Sequence, residues 1–181
     1  LAYIELWNSN FLNINNRVVL SYLWKLRTLP RYFQQLEMES LGKKANSQSI
    51  FSKTSQTIYG GFGPRAQHSF FQMLHQGTSK TSIDFIIEKD VSESNKLPKI
   101  QALTQNKLFN IPSKKTLVQN HKINSNVSSN LYMLEKLTPY NLGFLISSWE
   151  HKTFICSQLL QINPFDQFGV EQGKLITSKK I

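Results

Sequence analysis

Residues 57–78, TIYGGFGPRAQHSFFQMLHQGT, decide the fold. A β-prone run, Thr57-Ile58-Tyr59, meets three glycines, Gly60, Gly61 and Gly63; Pro64 then opens a helix whose apolar residues Phe70, Phe71, Met73 and Leu74 precede Gly77. Proline in the first helical turn and glycine past the last are ordinary helix punctuation. Strand, glycine loop and helix start, in that order, mark an α/β chain.

The pattern repeats to either side. Upstream, Leu1, Ile4, Leu6, Trp7, Phe11 and Leu12 fall near helical spacing and stop at the Asn-rich NINN, a helix end and turn. Val18-Val19-Leu20 with Tyr22-Leu23 reads as a short buried strand, and a helix from Leu29-Pro30 carries Tyr32, Phe33, Leu36 and Met38 toward Gly42. The polar KKANSQSIFSKTSQ is loop. Downstream, Ser82–Ile87 is a strand, EKDVSESNKLPK reads as polar loop, and IQALTQNKLF as a short, weak helix. Residues 110–126 show little periodicity. Asn130–Leu134 is strand-like, and Thr138-Pro139 caps a long helix to about Leu160, with Thr at the N-cap and Pro at the next position. The tail NPFDQFGVEQGKLITSKKI starts one more helix. Strands alternating with helices imply a three-layer αβα sandwich with a mostly parallel sheet.

Composition bounds the answer. The chain has 181 residues, the size of one domain, and 40% hydrophobic with 12% aromatic residues suffices for a packed core. Lys+Arg number 21 against 11 Asp+Glu, a formal charge of +10, yet the lysines are spread out and no basic run of five or more occurs, so the charge reads as dispersed bias and not as a nucleic-acid surface. The single cysteine, Cys156, excludes an internal disulfide and fits a cytoplasmic protein. The opening segment carries Glu5 and no basic region, unlike a signal peptide, and residues 141–160 are too interrupted by polar residues to span a membrane.

Several groups could carry chemistry. Backbone N–H groups at a glycine-preceded helix start can hold an anion, which makes GGFGPRAQH a candidate loop; a tight strand-to-helix turn explains the same glycines. His68, in the first turns of that helix, would project near the C-terminal edge of the sheet, the usual ligand crevice. His75 lies about 10 Å further along at ~1.5 Å per residue, too far to share a metal ion, and is expected to be structural. His151 is expected to be a buried, hydrogen-bonded histidine; His121 supports no role. Glu39, at the end of LPRYFQQLEMESLGK, is either an i,i+4 partner of Lys43 or a general base able to reach a crevice. Lys174 in EQGK is either a solvated cation or a site residue.

Taken together, AQHSFFQMLHQGT followed by IDFI, KLTPYNLGFLISSWEHKTF, INPFDQFGVEQGK and, before them, LPRYFQQLEMESLGK resemble successive blocks of the glucose-6-phosphate isomerase (phosphoglucose isomerase) family, in the family's order and spacing. The resemblance covers essentially the whole chain and corresponds to the C-terminal part of a family member. It implies a second sugar isomerase (SIS-type) domain over residues 1–162 and the start of a C-terminal helical tail over 163–181, with the first SIS domain missing. It implies interconversion of glucose 6-phosphate and fructose 6-phosphate through a cis-enediol, with no metal or cofactor. Glu39 matches the base, His68 the histidine that assists ring opening and is donated to a neighbouring subunit's site in a homodimer, Lys174 the lysine at the ring oxygen, and Gln167 a substrate contact. A non-catalytic sugar-phosphate-binding module of the same fold is the other reading. The chain departs from the family pattern at Gly63-Pro64-Arg65-Ala66, where Gly-Thr-Asn-Gly is usual, at Ser21-Tyr22-Leu23-Trp24, where Pro-Tyr-Asp-Gln is usual, and at Leu41, where Asn is usual. The groups that grip the phosphate and stabilise the enediolate belong to the first domain, so the isolated chain is expected to have little or no activity.

Overall fold

The computed structural model describes residues 1–90, 92–111 and 121–179. Helix α1 (Ala2–Asn10) leads to strand β1 (Asn16–Ser21); α2 (Leu29–Leu41) returns to β2 (Thr57–Phe62), which is followed by two short helices, α3 (Gly63–Ala66) and α4 (Phe71–Gln76). Then come β3 (Thr81–Glu88), α5 (Glu93–Asn110), β4 (Ser129–Leu134), α6 (Pro139–Leu160) and α7 (Phe168–Ser178). The four strands form one parallel sheet in the order β2-β1-β3-β4, with Val19 opposite both Gly60 and Asp84.

Period-two alternation sends neighbouring residues of each strand into different layers. Val18, Leu20 and Tyr22, with Ile83, Phe85 and Ile87, pack under α3–α5 against Ala66, Phe71, Ala102 and Phe109. Val19, Ile58 and Ile86 face the other way, toward Phe33 of α2 and Leu145 and Trp149 of α6. All eight residues of β3 are buried, as a strand covered on both faces requires. A third cluster ties Ala2 and Leu6 of α1 to Leu41, Cys156 and Leu160. Burial pushes the Cys156 thiol up, so it fills space as an un-ionised side chain. No helix among the described residues is long and apolar enough to cross a membrane.

The expected elements recur with two corrections. The glycines do not form a loop after β2: Gly60 and Gly61 are inside the strand, and the expected single helix is broken by a turn at residues 67–70, where His68 stands. A Cβ at Gly60 would fall 1.9 Å from the Val19 carbonyl oxygen, and one at Gly63 would fall 2.3 Å from Cζ of Tyr22, so these glycines serve close packing. With α3 only four residues long, the anion-loop reading has no helix to stand on. Tyr22 is 1% exposed and stacked on Phe85, so its ring cannot step aside. Gly63→Ala is therefore expected to cost about 1–3 kcal/mol in urea unfolding, and Tyr22→Phe, which keeps the ring, is expected not to rescue it.

The second correction concerns residues 93–99. Read as polar loop, they open α5, an 18-residue helix that runs through Pro98. Pro98 sits early in the helix and forfeits a single backbone bond, while Ala102 and Phe109, both fully buried, anchor the rest against the sheet. Residues 112–120, part of the stretch read as aperiodic, lie outside the described residues. The Thr138 hydroxyl oxygen accepts a bond from the Asn141 N–H, the N-cap expected for α6.

Candidate active site

α2 runs back along the sheet, so its last turn lies beside the start of β2: Gln34 Nε2 donates to the Ile58 carbonyl at 2.6 Å, and Ile58 N–H points to Met38 Sδ at 3.4 Å. Glu39, next in sequence, is exposed on this edge. Its carboxylate receives Gln167 Nε2 at 3.1 Å, from a residue 128 positions away that stands at the N-terminus of α7. Gln35, one turn earlier, also directs its amide at Glu39, at 3.4 and 3.5 Å. Glu39 and Gln167 open on a cleft of about 710 Å³ between the end of α2 and the segment from Gln161 to Val170.

What holds this cleft is Lys43. Instead of pairing with Glu39 at i,i+4, its ammonium bonds Asp166 at 3.1 Å and donates to the Asn163 carbonyl. Asn46 adds a bond to the Gln161 carbonyl at 2.9 Å. The turn at Gln161, in left-handed conformation with φ 57°, ends α6 and starts this segment, and the two clamps set it beside α2. Glu39 is thus left to Gln35 and Gln167 and keeps a lone pair for a ligand's proton.

Lys174 lies seven residues past Gln167, two turns along the same side of α7 and roughly 10 Å away at ~1.5 Å per residue. It is exposed and forms no ion pair among the described residues. His68 is elsewhere. It is exposed in the turn after α3, past the C-terminal end of β2, whereas Glu39 flanks the beginning of that strand. The six residues of β2, five steps of ~3.3 Å, put roughly 16 Å of sheet between the two, so His68 and Glu39 do not meet within this chain. His75 is structural: it stacks on Phe109 at 4.4 Å, Nε2 bonds Gln105 at 2.8 Å, and burial lowers its pKa. His151, expected to be buried, is exposed, its Nδ1 bonded to the Ser147 carbonyl at 2.7 Å within α6. No cluster of three or more His, Cys, Asp or Glu able to hold a metal occurs among the described residues.

Sequence reading missed the charge cluster under α2. Arg17 of β1 bonds Glu5 of α1 at 2.9 Å, meets Glu37 of α2 and lies 3.5 Å from Asp84 of β3; Lys152 of α6 reaches Glu5 at 2.8 Å and Glu37 at 2.6 Å. Trp149 Nε1 donates to Glu37, Asn130 donates to Asp84 at 2.7 Å, and Phe33 stacks on the Trp149 ring at 3.9 Å. All five charged side chains are at most 5% exposed. Three carboxyls thus share two cations. Burial outweighs Arg17 and, together with the Glu5 charge, raises the Glu37 pKa; for Glu5, Arg17 and Lys152 overcome burial and hold it well below the carboxylate range. The only sequence signal was charge at strand and helix positions facing inward, Arg17 beside Val18-Val19-Leu20 and Lys152 within an apolar helix. Glu37 is two residues from Glu39, so the cluster fixes the helix that presents the exposed carboxylate.

A sequence model described as phosphoglucose isomerase matches residues 1–181. Among curated relatives, a glucose-6-phosphate isomerase from Acinetobacter baumannii is 37% identical over 203 residues, covering 99% of this chain and 37% of its own length. One from Shewanella pealeana is 40% identical over 198 residues, covering 96% of this chain and 36% of its own length. The crystal structure of a glucose-6-phosphate isomerase from Chlamydia trachomatis superposes with a TM-score of 0.88 at 29% identity, over 98% of this chain and 37% of that one. The chain therefore spans little more than a third of the length of these relatives.

Proposed function

We infer that this chain, which belongs to the phosphoglucose isomerase family, carries the base-bearing part of the site of a glucose-6-phosphate isomerase. Glu39 moves a proton between C1 and C2 of the open-chain sugar phosphate through a cis-enediol, the step that interconverts the aldose and the ketose. Abstracting a proton α to a carbonyl needs a positioned carboxylate, and the reaction returns the same proton to the neighbouring carbon, so one base serves both directions. The observation that carries this reading is the Glu39 carboxylate held by the Gln167 amide at the mouth of an open cleft.

In this reading Gln167 and Gln35 line the substrate's path and Lys174 serves the ring oxygen. His68 acts in trans: its place across the sheet from Glu39 makes sense if a second subunit supplies it to a neighbouring site, so the complete enzyme is a homodimer. Residues 1–162 form the second sugar isomerase domain and 163–181 begin the helical tail. The setting is cytoplasmic, in glycolysis and gluconeogenesis, and the chemistry asks for no metal or cofactor.

The groups that hold the phosphate and stabilise the enediolate charge belong, in this reading, to the preceding domain. Losing one such donor costs ~10²–10³ in rate, and several are absent at once. Purified chain is expected to convert no fructose 6-phosphate to glucose 6-phosphate above the buffer rate in a coupled assay. Turnover by the isolated chain that Glu39→Gln abolishes would sink the incomplete-site reading.

A further inference from the structure

Trp24, in the turn after β1, is 45% exposed and carries two guanidinium groups on its ring. The Arg27 guanidinium carbon lies 4.5 Å from the ring centroid and that of Arg65 lies 4.9 Å from it. Phe62 closes edge-on against the same indole at 5.2 Å. Two of the three departures from the family pattern noted in the sequence meet in this contact: Trp24 comes from one and Arg65 from another. They meet because Tyr22 packs on Gly63, which locks the turn after β1 against the turn after β2.

Two like charges sharing one ring repel, and neither has a carboxylate in ion-pair reach among the described residues. Arg27 spends one N–H on the Trp24 carbonyl at 3.1 Å; Arg65 has no hydrogen-bond partner there. Cation–π contact with a ring uses up no N–H donor, so the guanidinium donors not bonded elsewhere remain for an oxyanion. Lys25 stands exposed in the same turn and adds to the positive field.

We propose that Arg27 and Arg65, preorganised on Trp24, bind a phosphate monoester dianion at the sheet edge where β1 and β2 end. Charge decides between oxyanions. A phosphate monoester carries close to two negative charges at pH 7 and presents three oxygens, enough to neutralise and bond both forks, while a carboxylate would leave one guanidinium unmatched. The ligand can be inorganic phosphate or the phosphoryl group of a small metabolite; both present the same dianion. The proposal does not use the Glu39 cleft, which lies at the other edge of the sheet.

The test is a titration of the purified chain with inorganic phosphate, glucose 6-phosphate and acetate at constant ionic strength, read by NMR at the Trp24 indole N–H and the arginine Nε–H signals. Saturable shifts with both phosphates and not with acetate are expected, weakening below pH ~6 as the dianion takes a proton. Arg27→Gln and Arg65→Gln, at exposed positions, should each weaken binding about tenfold or more, and Lys107→Gln on α5 should leave it unchanged. Tighter binding of glucose 6-phosphate than of phosphate would identify a sugar phosphate as the ligand; equal binding would show that the phosphoryl group alone is read. No saturable shift, an equal response to acetate, or full affinity in both arginine variants overturns the proposal.

Discussion

Replacing Arg17 by Met is expected to destabilise the chain by about 3–5 kcal/mol, a large share of the ~5–15 kcal/mol that holds a domain together. The cation is 5% exposed and faces Glu5, Glu37 and Asp84, so its loss leaves three buried carboxyls with Lys152 alone. Burial would lower the Arg17 pKa, but Glu37, Glu5 and Asp84 outweigh it and raise it, so the group stays charged throughout. Urea unfolding followed by fluorescence and circular dichroism measures the loss. Adding Glu37→Leu to Arg17→Met should recover part of it, because the second change removes one of the stranded carboxyls. A double variant no more stable than Arg17→Met would show that lost packing, not stranded charge, dominates.

The same cluster fixes the sign of the pH dependence. Glu5, whose folded pKa lies below the ordinary 4.5, contributes stability that is present above that pH and lost as acid carries it through its folded pKa. Glu37 is raised above 4.5 by burial, so its contribution is complete below that pH and lost as pH rises through its folded value. Glu37→Gln keeps an oxygen for Trp149 and Lys152 and cannot ionise. Its stability relative to the parent should therefore improve as pH rises above the ordinary carboxylate range, and a pH-independent difference would contradict the assignment.

Catalysis should show the largest effect of all. Fused behind the upstream remainder of the A. baumannii relative, the chain is expected to regain isomerase activity, and Glu39→Gln in that fusion should lower kcat by about 10²–10⁴ with KM little changed. Gln167→Ala is expected to raise KM and lower kcat less, since its amide bonds the Glu39 carboxylate and, in the proposed function, contacts the substrate without transferring the proton. Binding of glucose 6-phosphate without turnover, unaltered by Glu39→Gln, would instead support the non-catalytic module.

Much was legible in the chain because it rests on local pattern. The alternation of apolar runs and helical periods gave a parallel sheet between helix layers, and Thr138-Pro139 announced α6 because capping is a matter of neighbouring residues. Glu39 could be singled out as a type suited to proton transfer, while Gln167 came only with the family resemblance. Local pattern misled where a distant partner outweighs propensity: α5 absorbs Pro98 because Ala102 and Phe109 are buried on the sheet, and Gly60 and Gly63 answer to Val19 and Tyr22, not to a ligand.

By itself, the sequence determined the order of strands and helices, the covered sheet and the residue types able to do the chemistry. Only the tertiary structure decided which of them meet. It joined Glu39 to Gln167, gave Lys43 to Asp166 instead of Glu39, set His68 at the far edge and gathered Arg17, Glu5, Glu37, Asp84 and Lys152 into one buried cluster. The physical reason is that secondary structure follows from interactions within a few residues of chain, while a site is made of contacts between residues distant in sequence, whose energies depend on burial and charge that only packing creates.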